Sequence, residues 1–193
     1  MNIPFVDLKA QYNTIKIEID NAIQTVINET AFIKGKYVQR FEEEFSKAYD
    51  VKHCISCANG TDAIYITLKA LGIGQGDEVI TVANTWISTA ETISQTGARP
   101  VFVDIDPDHF TIDVSRIEER ITKNTKAIIP VHLFGQPANM DVIRDICQRH
   151  DLLIIEDCAQ AHFAEWKEQR VGTMGIAGTF SFFPGKNLGA YGD

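Results

Sequence analysis

The sequence lacks any apolar run approaching the length of a membrane-spanning helix. Its opening, Met1-Asn2-Ile3-Pro4-Phe5-Val6-Asp7, has neither a basic leader region nor a long apolar stretch behind one, so no secretory signal and a cytoplasmic location are expected. Positive charge is in deficit. Lys and Arg number 18 against 26 Asp and Glu, a net charge of -8. That balance argues against a nucleic-acid or membrane-surface partner. It also provides no global steering for an anion, so a phosphate or nucleotide has to be held by a local pocket of donors. The five histidines, at positions 53, 109, 132, 150 and 162, show no metal-ligand spacing, and no metal is expected.

Cysteine is sparse: Cys54, Cys57, Cys147 and Cys158, expected to stay reduced. Cys54-Ile55-Ser56-Cys57 matches a C-x-x-C redox or zinc pattern. The stretch from Val51 to Ala58 reads as a strand, however, where residues three apart point to opposite faces. No second pair completes a zinc site, so both read as packed thiols. Leu71-Gly72-Ile73-Gly74-Gln75-Gly76 is glycine-rich but is not G-x-G-x-x-G. It follows a helix and precedes a strand, the reverse of a dinucleotide loop, and reads as a linker. Internal repeats and low-complexity segments are absent.

What is present is a globular composition. The 193 residues are 45% apolar, enough for one domain with a real core. Leu8, Tyr12, Ile15, Ile19, Ile23 and Val26 recur at helical spacing, and Val38, Phe41, Phe45 and Ala48 mark a second helix. Asn59-Gly60-Thr61-Asp62 reads as a strand-to-helix turn. Asn59 or Thr61 caps the helix, and Gly60 permits close backbone approach. Such a helix start exposes N–H groups that suit an anion. Strands are expected at Glu78–Ala83, Pro100–Asp104, Lys126–Val131 and Leu152–Asp157, with helices at Asp113–Ile121 and Asn139–His150. The alternation predicts an α/β fold with a mostly parallel sheet covered on both faces.

The chemistry concentrates after Leu152. Leu152-Leu153-Ile154-Ile155-Glu156-Asp157 is a buried-strand pattern ending in a carboxylate, and functional groups gather at such carboxyl ends. A second strand-like run, Thr179-Phe180-Ser181-Phe182-Phe183, leads through Pro184-Gly185 to Lys186. An Asp and a Lys at two strand ends suit pyridoxal 5'-phosphate (PLP). The amine forms an imine with the aldehyde, and the carboxylate keeps the pyridine nitrogen protonated. Trp86, in Asn84-Thr85-Trp86-Ile87-Ser88-Thr89 at another strand end, is either a ring-stacking aromatic or a core tryptophan.

Three ordered motifs carry a specific resemblance: Asn59-Gly60-Thr61-Asp62-Ala63, Asp157-Cys158-Ala159-Gln160-Ala161-His162, and Pro184-Gly185-Lys186-Asn187-Leu188-Gly189. At this spacing the chain resembles the DegT/DnrJ/EryC1/StrS family of PLP-dependent sugar aminotransferases along its whole length. The resemblance implies a three-layer αβα domain like the large domain of aspartate aminotransferase, here residues 1–193 with a helical segment over about 1–50. The family's small C-terminal domain is expected to follow Lys186 and to be absent from this chain, leaving the isolated chain without turnover. The resemblance further implies a homodimer, in which the first helical region approaches the partner.

By the same resemblance, Lys186 carries the cofactor and acts as the proton-moving base, and Asp157 pairs with the ring nitrogen. Gln160 contacts the ring hydroxyl. Gly60, Thr61 and Ser181 bind the phosphate, Trp86 stacks on the ring, and His162 lies beside the cofactor. Phe163 stands where many members have glycine. The implied reaction moves nitrogen from an amino acid, L-glutamate, to a keto group on a nucleotide-linked hexose. The tail after Pro184 looks closest to members acting on a 3-keto or 4-keto deoxysugar joined to dTDP. The PLP-dependent dehydratase branch carries histidine where Lys186 stands, so lysine favours transamination. A non-catalytic PLP-binding or regulatory protein on the same scaffold is the rival from another class.

Overall fold

The computed structural model describes residues 6–191; Met1–Phe5, from the stretch read against a secretory signal, and Gly192–Asp193, from the final tail, lie outside the described residues. The chain divides into two compact units, Met1–Ser56 and Cys57–Asp193.

The first unit is helical. α1 (Leu8–Asn28) starts where the Asp7 carboxylate accepts the Ala10 N–H at 2.8 Å, a side-chain N-cap. The predicted apolar face forms as helix, but none of its residues is buried. α2 (Lys36–Tyr49) starts at Gly35 and stops at Asp50, whose left-handed φ of 52° ends the helix. Phe41, Phe45 and Tyr49 stack along it, with centroids 5.6 and 4.6 Å apart. The strand expected from Val51 to Ala58 is absent. Ser56 instead donates its N–H and hydroxyl to Glu42 at 2.8 and 2.6 Å. A carboxylate from α2 thus takes the donor that a neighbouring strand would have used. Cys54 and Cys57 form no disulfide and lie outside any strand, so the face argument for them falls away.

The second unit begins with α3 (Gly60–Ala70), capped by Asn59, which accepts the Asp62 N–H at 2.8 Å. It continues through β1 (Glu78–Val82), α4 (Ser88–Gln95), β2 (Arg99–Val103), β3 (Thr125–Ile129), α5 (Met140–His150) and β4 (Leu153–Asp157). A short hairpin, β5 (Glu165–Trp166) and β6 (Gln169–Arg170), precedes β7 (Ala177–Thr179). The helix expected at Asp113–Ile121 is instead two 3-10 turns, Val114–Arg116 and Glu118–Arg120. The strand expected after Thr179 ends there, leaving Phe180 to Pro184 irregular.

Five strands pair in parallel in the order β2-β1-β3-β4-β7. Side-chain alternation sorts them onto two faces. Val79, Ala127, Ile129 and Ile155 cluster with Ile64 and Leu68 of α3 and Ile93 of α4. Ile80, Val82, Ile128 and Ile154 cluster with Met140, Ile143 and Ile146 of α5. Helices therefore cover both faces, giving three layers, and each fully buried Leu or Ile is worth about 1.5–3 kcal/mol. The strand order reverses at β1, with β2 on one side and β3 on the other. In open parallel sheets the crevice for a ligand opens at such a reversal, outside the carboxyl ends.

Candidate active site

Asp157 closes β4 and faces the α3–α4 side, two residues on from Ile155. Its backbone locks two strand ends together. Its N–H donates to Pro130 and its carbonyl accepts from the His132 N–H, each at 3.0 Å. The side chain is buried, with two protein donors: the Ala159 N–H at 3.1 Å and the Thr89 hydroxyl at 2.8 Å. Burial pushes its pKa up; those two donors, then the charges of His132 and Lys186, pull it back. A carboxylate offers about four lone-pair positions, so this one keeps acceptor capacity for a cation.

Lys186 sits in a turn held by its own N–H, which donates to the Phe183 carbonyl at 2.8 Å. Its charge bears on both Asp157 and His162. His162 is buried, with the Phe180 and Phe182 rings 5.5 and 5.2 Å away. Burial lowers its pKa; Asn187 opposes this, while Lys186 adds to it. Neither ring nitrogen completes a hydrogen bond of ordinary geometry.

Gly60 opens α3 against the segment beyond β7. A methyl group there would lie 2.8 Å from Ser181 Cβ and 3.2 Å from the Phe180 carbonyl, so only glycine allows this approach. The start of α3, with its free N–H groups, thus lies against Ser181, an arrangement suited to an anion. Thr61 shares a hydrogen bond with Ser88 at 2.7 Å, which ties α3 to α4. Trp86, on the loop after β1, is 72% exposed and is not a core residue. Gln160 accepts the Phe134 N–H at 2.9 Å through its carbonyl oxygen, leaving its amide N–H groups uncommitted to that bond. Phe163 adopts φ of 60°, the left-handed region that favours glycine.

The DegT/DnrJ/EryC1/StrS aminotransferase family model matches residues 13–193. The chain belongs to this family. It is 51% identical over 193 residues to the "Pleiotropic regulatory protein" of Geobacillus stearothermophilus, covering 100% of this chain and 52% of that one. It is 44% identical over 191 residues to the dTDP-3-amino-3,4,6-trideoxy-alpha-D-glucose transaminase of Streptomyces venezuelae, covering 99% of this chain and 50% of the relative. Among solved structures, S. venezuelae DesV in complex with a ketimine intermediate superposes with a TM-score of 0.94 at 43% identity, over 99% of this chain and 52% of that one. NtdA from Bacillus subtilis with bound cofactor PMP gives a TM-score of 0.92 at 38% identity, over 99% and 43%. The chain spans about half the length of the curated relatives it matches.

Within this DegT-family chain, sequence reasoning missed Thr89, the side-chain donor to Asp157, and Ser88, which meets Thr61. Both follow Trp86 at the start of α4, and two hydroxyls just past a strand end were the available signal. It also missed Glu156. His132, Glu156 and Cys158 lie buried with their ligand-type atoms within 4.8 Å of one another. Glu156 accepts from His132 Nε2 at 3.2 Å, from the Gly172 N–H at 2.8 Å, and from the Met174 and Gly175 N–H groups at 2.7 and 2.8 Å. His132 Nδ1 accepts the Ala138 N–H at 3.0 Å, which leaves the proton on Nε2. Burial raises the Cys158 thiol well above its ordinary pKa. A carboxylate with four donors and a protonated thiol make this a filled hydrogen-bond cluster rather than a cation cage.

Proposed function

We propose that the protein transfers an amino group from L-glutamate to the carbonyl of a keto-deoxyhexose carried on dTDP, using PLP. The observation that carries this reading is the buried Asp157 carboxylate, with acceptor capacity left, within reach of the charge of Lys186 and paired across the sheet with Thr179, which leads into the Gly60–Ser181 contact. The residues fit the cofactor in three respects. A cation-seeking carboxylate, a primary amine and an anion cradle shaped by a glycine all occur in one unit. The family membership and the dTDP-sugar transaminase among the relatives support the substrate class.

Bound there, PLP supplies an aldehyde and an electron-withdrawing ring. Lys186 would hold the aldehyde, and its amine would move the proton at the reacting carbon. Asp157 pairs with the ring nitrogen's proton. The start of α3, Gly60 and Thr61, together with Ser181, binds the phosphate. Gln160 would give an amide N–H to the ring hydroxyl, and Trp86 and His162 would hold the ring.

In this proposal residues 1–193 form the PLP-binding large domain with its N-terminal helical segment, in a cytoplasmic homodimer. The uncovered apolar side chains of α1 support a partner there. No helix among the described residues is long and apolar enough to cross a membrane. Lys186 speaks against dehydration. A regulatory role is the second reading, favoured by the relative from G. stearothermophilus. The deciding assay supplies the intact protein with PLP, L-glutamate and dTDP- or UDP-linked keto sugars, and follows amino-sugar formation. Turnover on the dTDP sugar is expected. PLP uptake with no turnover on either class would favour the regulatory reading.

A further inference from the structure

Glu156 is fully buried, carries a carboxylate, and has no place in the chemistry assigned above. Such a group is costly to bury unless every lone pair finds a donor. Here each does, and the donors come from two different places in the chain. His132 follows β3. Gly172, Met174 and Gly175 belong to the loop that leads from the β5–β6 hairpin into β7. Glu156 itself belongs to β4, so one carboxylate ties the carboxyl ends of β3 and β4 to the entry of β7.

The glycines show how tightly that loop is drawn in. A methyl group on Gly175 would lie 2.4 Å from the Ile154 carbonyl, and one on Gly178 would lie 2.4 Å from Gly172 Cα. The loop therefore has one close-fitting position against β4 and β7. Glu156 and Asp157, as neighbours on a strand, point to opposite faces. Glu156 gathers the loop on one face while Asp157 is presented on the other. β7, entered from this loop, leads directly to Ser181 and Lys186.

We propose that Glu156, with His132, is a positioning residue of the site. By holding the loop 172–175 and the end of β3, it sets the placement of the Lys186 turn relative to Asp157. This proposal rests on the PLP reading above.

The test is Glu156→Gln in the intact protein. An amide turns donors toward at least one of these N–H groups and leaves it unpaired. Amide exchange at Gly172, Met174 and Gly175 is expected to speed up by about tenfold, with Ile80 and Ile128 in the sheet centre unchanged. With PLP bound, the pH midpoint of the cofactor's visible absorbance, which reports the charges around Lys186, is expected to move. An unmoved midpoint makes Glu156 a scaffold residue only and overturns the proposal, as does uniform acceleration of all amides. Should Glu156→Gln fail to fold, His132→Gln is read by the same midpoint, and an unmoved value there is equally fatal. A wild-type protein that takes up no PLP overturns the functional reading and this proposal with it. A normal wild-type band with an unmoved variant midpoint overturns this proposal alone.

Discussion

The Thr89 hydroxyl donates to the buried Asp157 carboxylate at 2.8 Å, and Thr85 shares a hydrogen bond with Thr89 at 3.3 Å behind it. A short hydroxyl relay thus runs from the end of β1 to the end of β4. Thr89→Val keeps the shape and removes the donor. Hydrogen bonds to charged groups contribute about 1.5–3 kcal/mol, so a loss of about 2 kcal/mol is expected. Urea denaturation of the cofactor-free protein measures it, and a loss below about 0.5 kcal/mol would remove Thr89 from the site's support.

Asp157 gives stability a sign with pH. Its folded pKa is raised above the ordinary 3.8, chiefly by burial. Between those two values the folded state holds more protons than the unfolded one, so stability falls as pH rises through the folded pKa. Asp157→Asn carries no such charge. The cofactor-free variant is expected to match or exceed wild type at neutral pH and to lose that advantage as pH falls toward 4. A difference between the two proteins that stays flat with pH would show that burial does not penalise this carboxylate.

Gly60→Ala puts a methyl group 2.8 Å from Ser181 Cβ. Overpacking of this kind costs about 1–3 kcal/mol, and here it pushes the two halves of the anion cradle apart. PLP affinity, followed by spectroscopic titration, is expected to drop by about tenfold or more. Gly185→Ala is the tolerated control for folding, because the nearest atom to its added methyl, in the Phe183 ring, lies 4.0 Å away.

Lys186→Ala is expected to fold normally and to lose borohydride-dependent attachment of PLP. Peptide mapping of the reduced wild-type protein should find the label at Lys186. Lys167, the other lysine after Asp157, is engaged elsewhere, paired with Asp141 and lying over the Trp166 ring at 5.8 Å. Labelling at Lys167 would refute the assignment.

The parallel core was legible because β1, β3 and β4 are short apolar runs bounded by polar residues, the pattern of strands buried on both faces. The stretch from Val51 to Ala58 carries similar residues but forms no strand, since strands depend on partners that a local pattern does not reveal. The β5–β6 hairpin was hidden by its turn. Lys167 and Glu168 both take positive φ, 47° and 67°, in a two-residue loop where Asn-Gly or Asp-Gly is the usual signal. Glu156 was visible as a charge inside an apolar strand. Its meaning lay in backbone N–H groups of a distant loop, which no side-chain motif encodes.

Gly60 opens the first helix of the second unit, and Ser181 lies just past β7. During synthesis the two emerge at opposite ends of that stretch of chain, with β1 to β4 between them. Among the described residues β7 pairs with β4 alone, so Gly60 and Ser181 meet once β7 has docked on the sheet. An anion that bridges them recognises the state in which β7 is docked, and it stabilises that state by mass action. Uptake of phosphate-bearing ligand by refolding chains therefore reports the docking of β7.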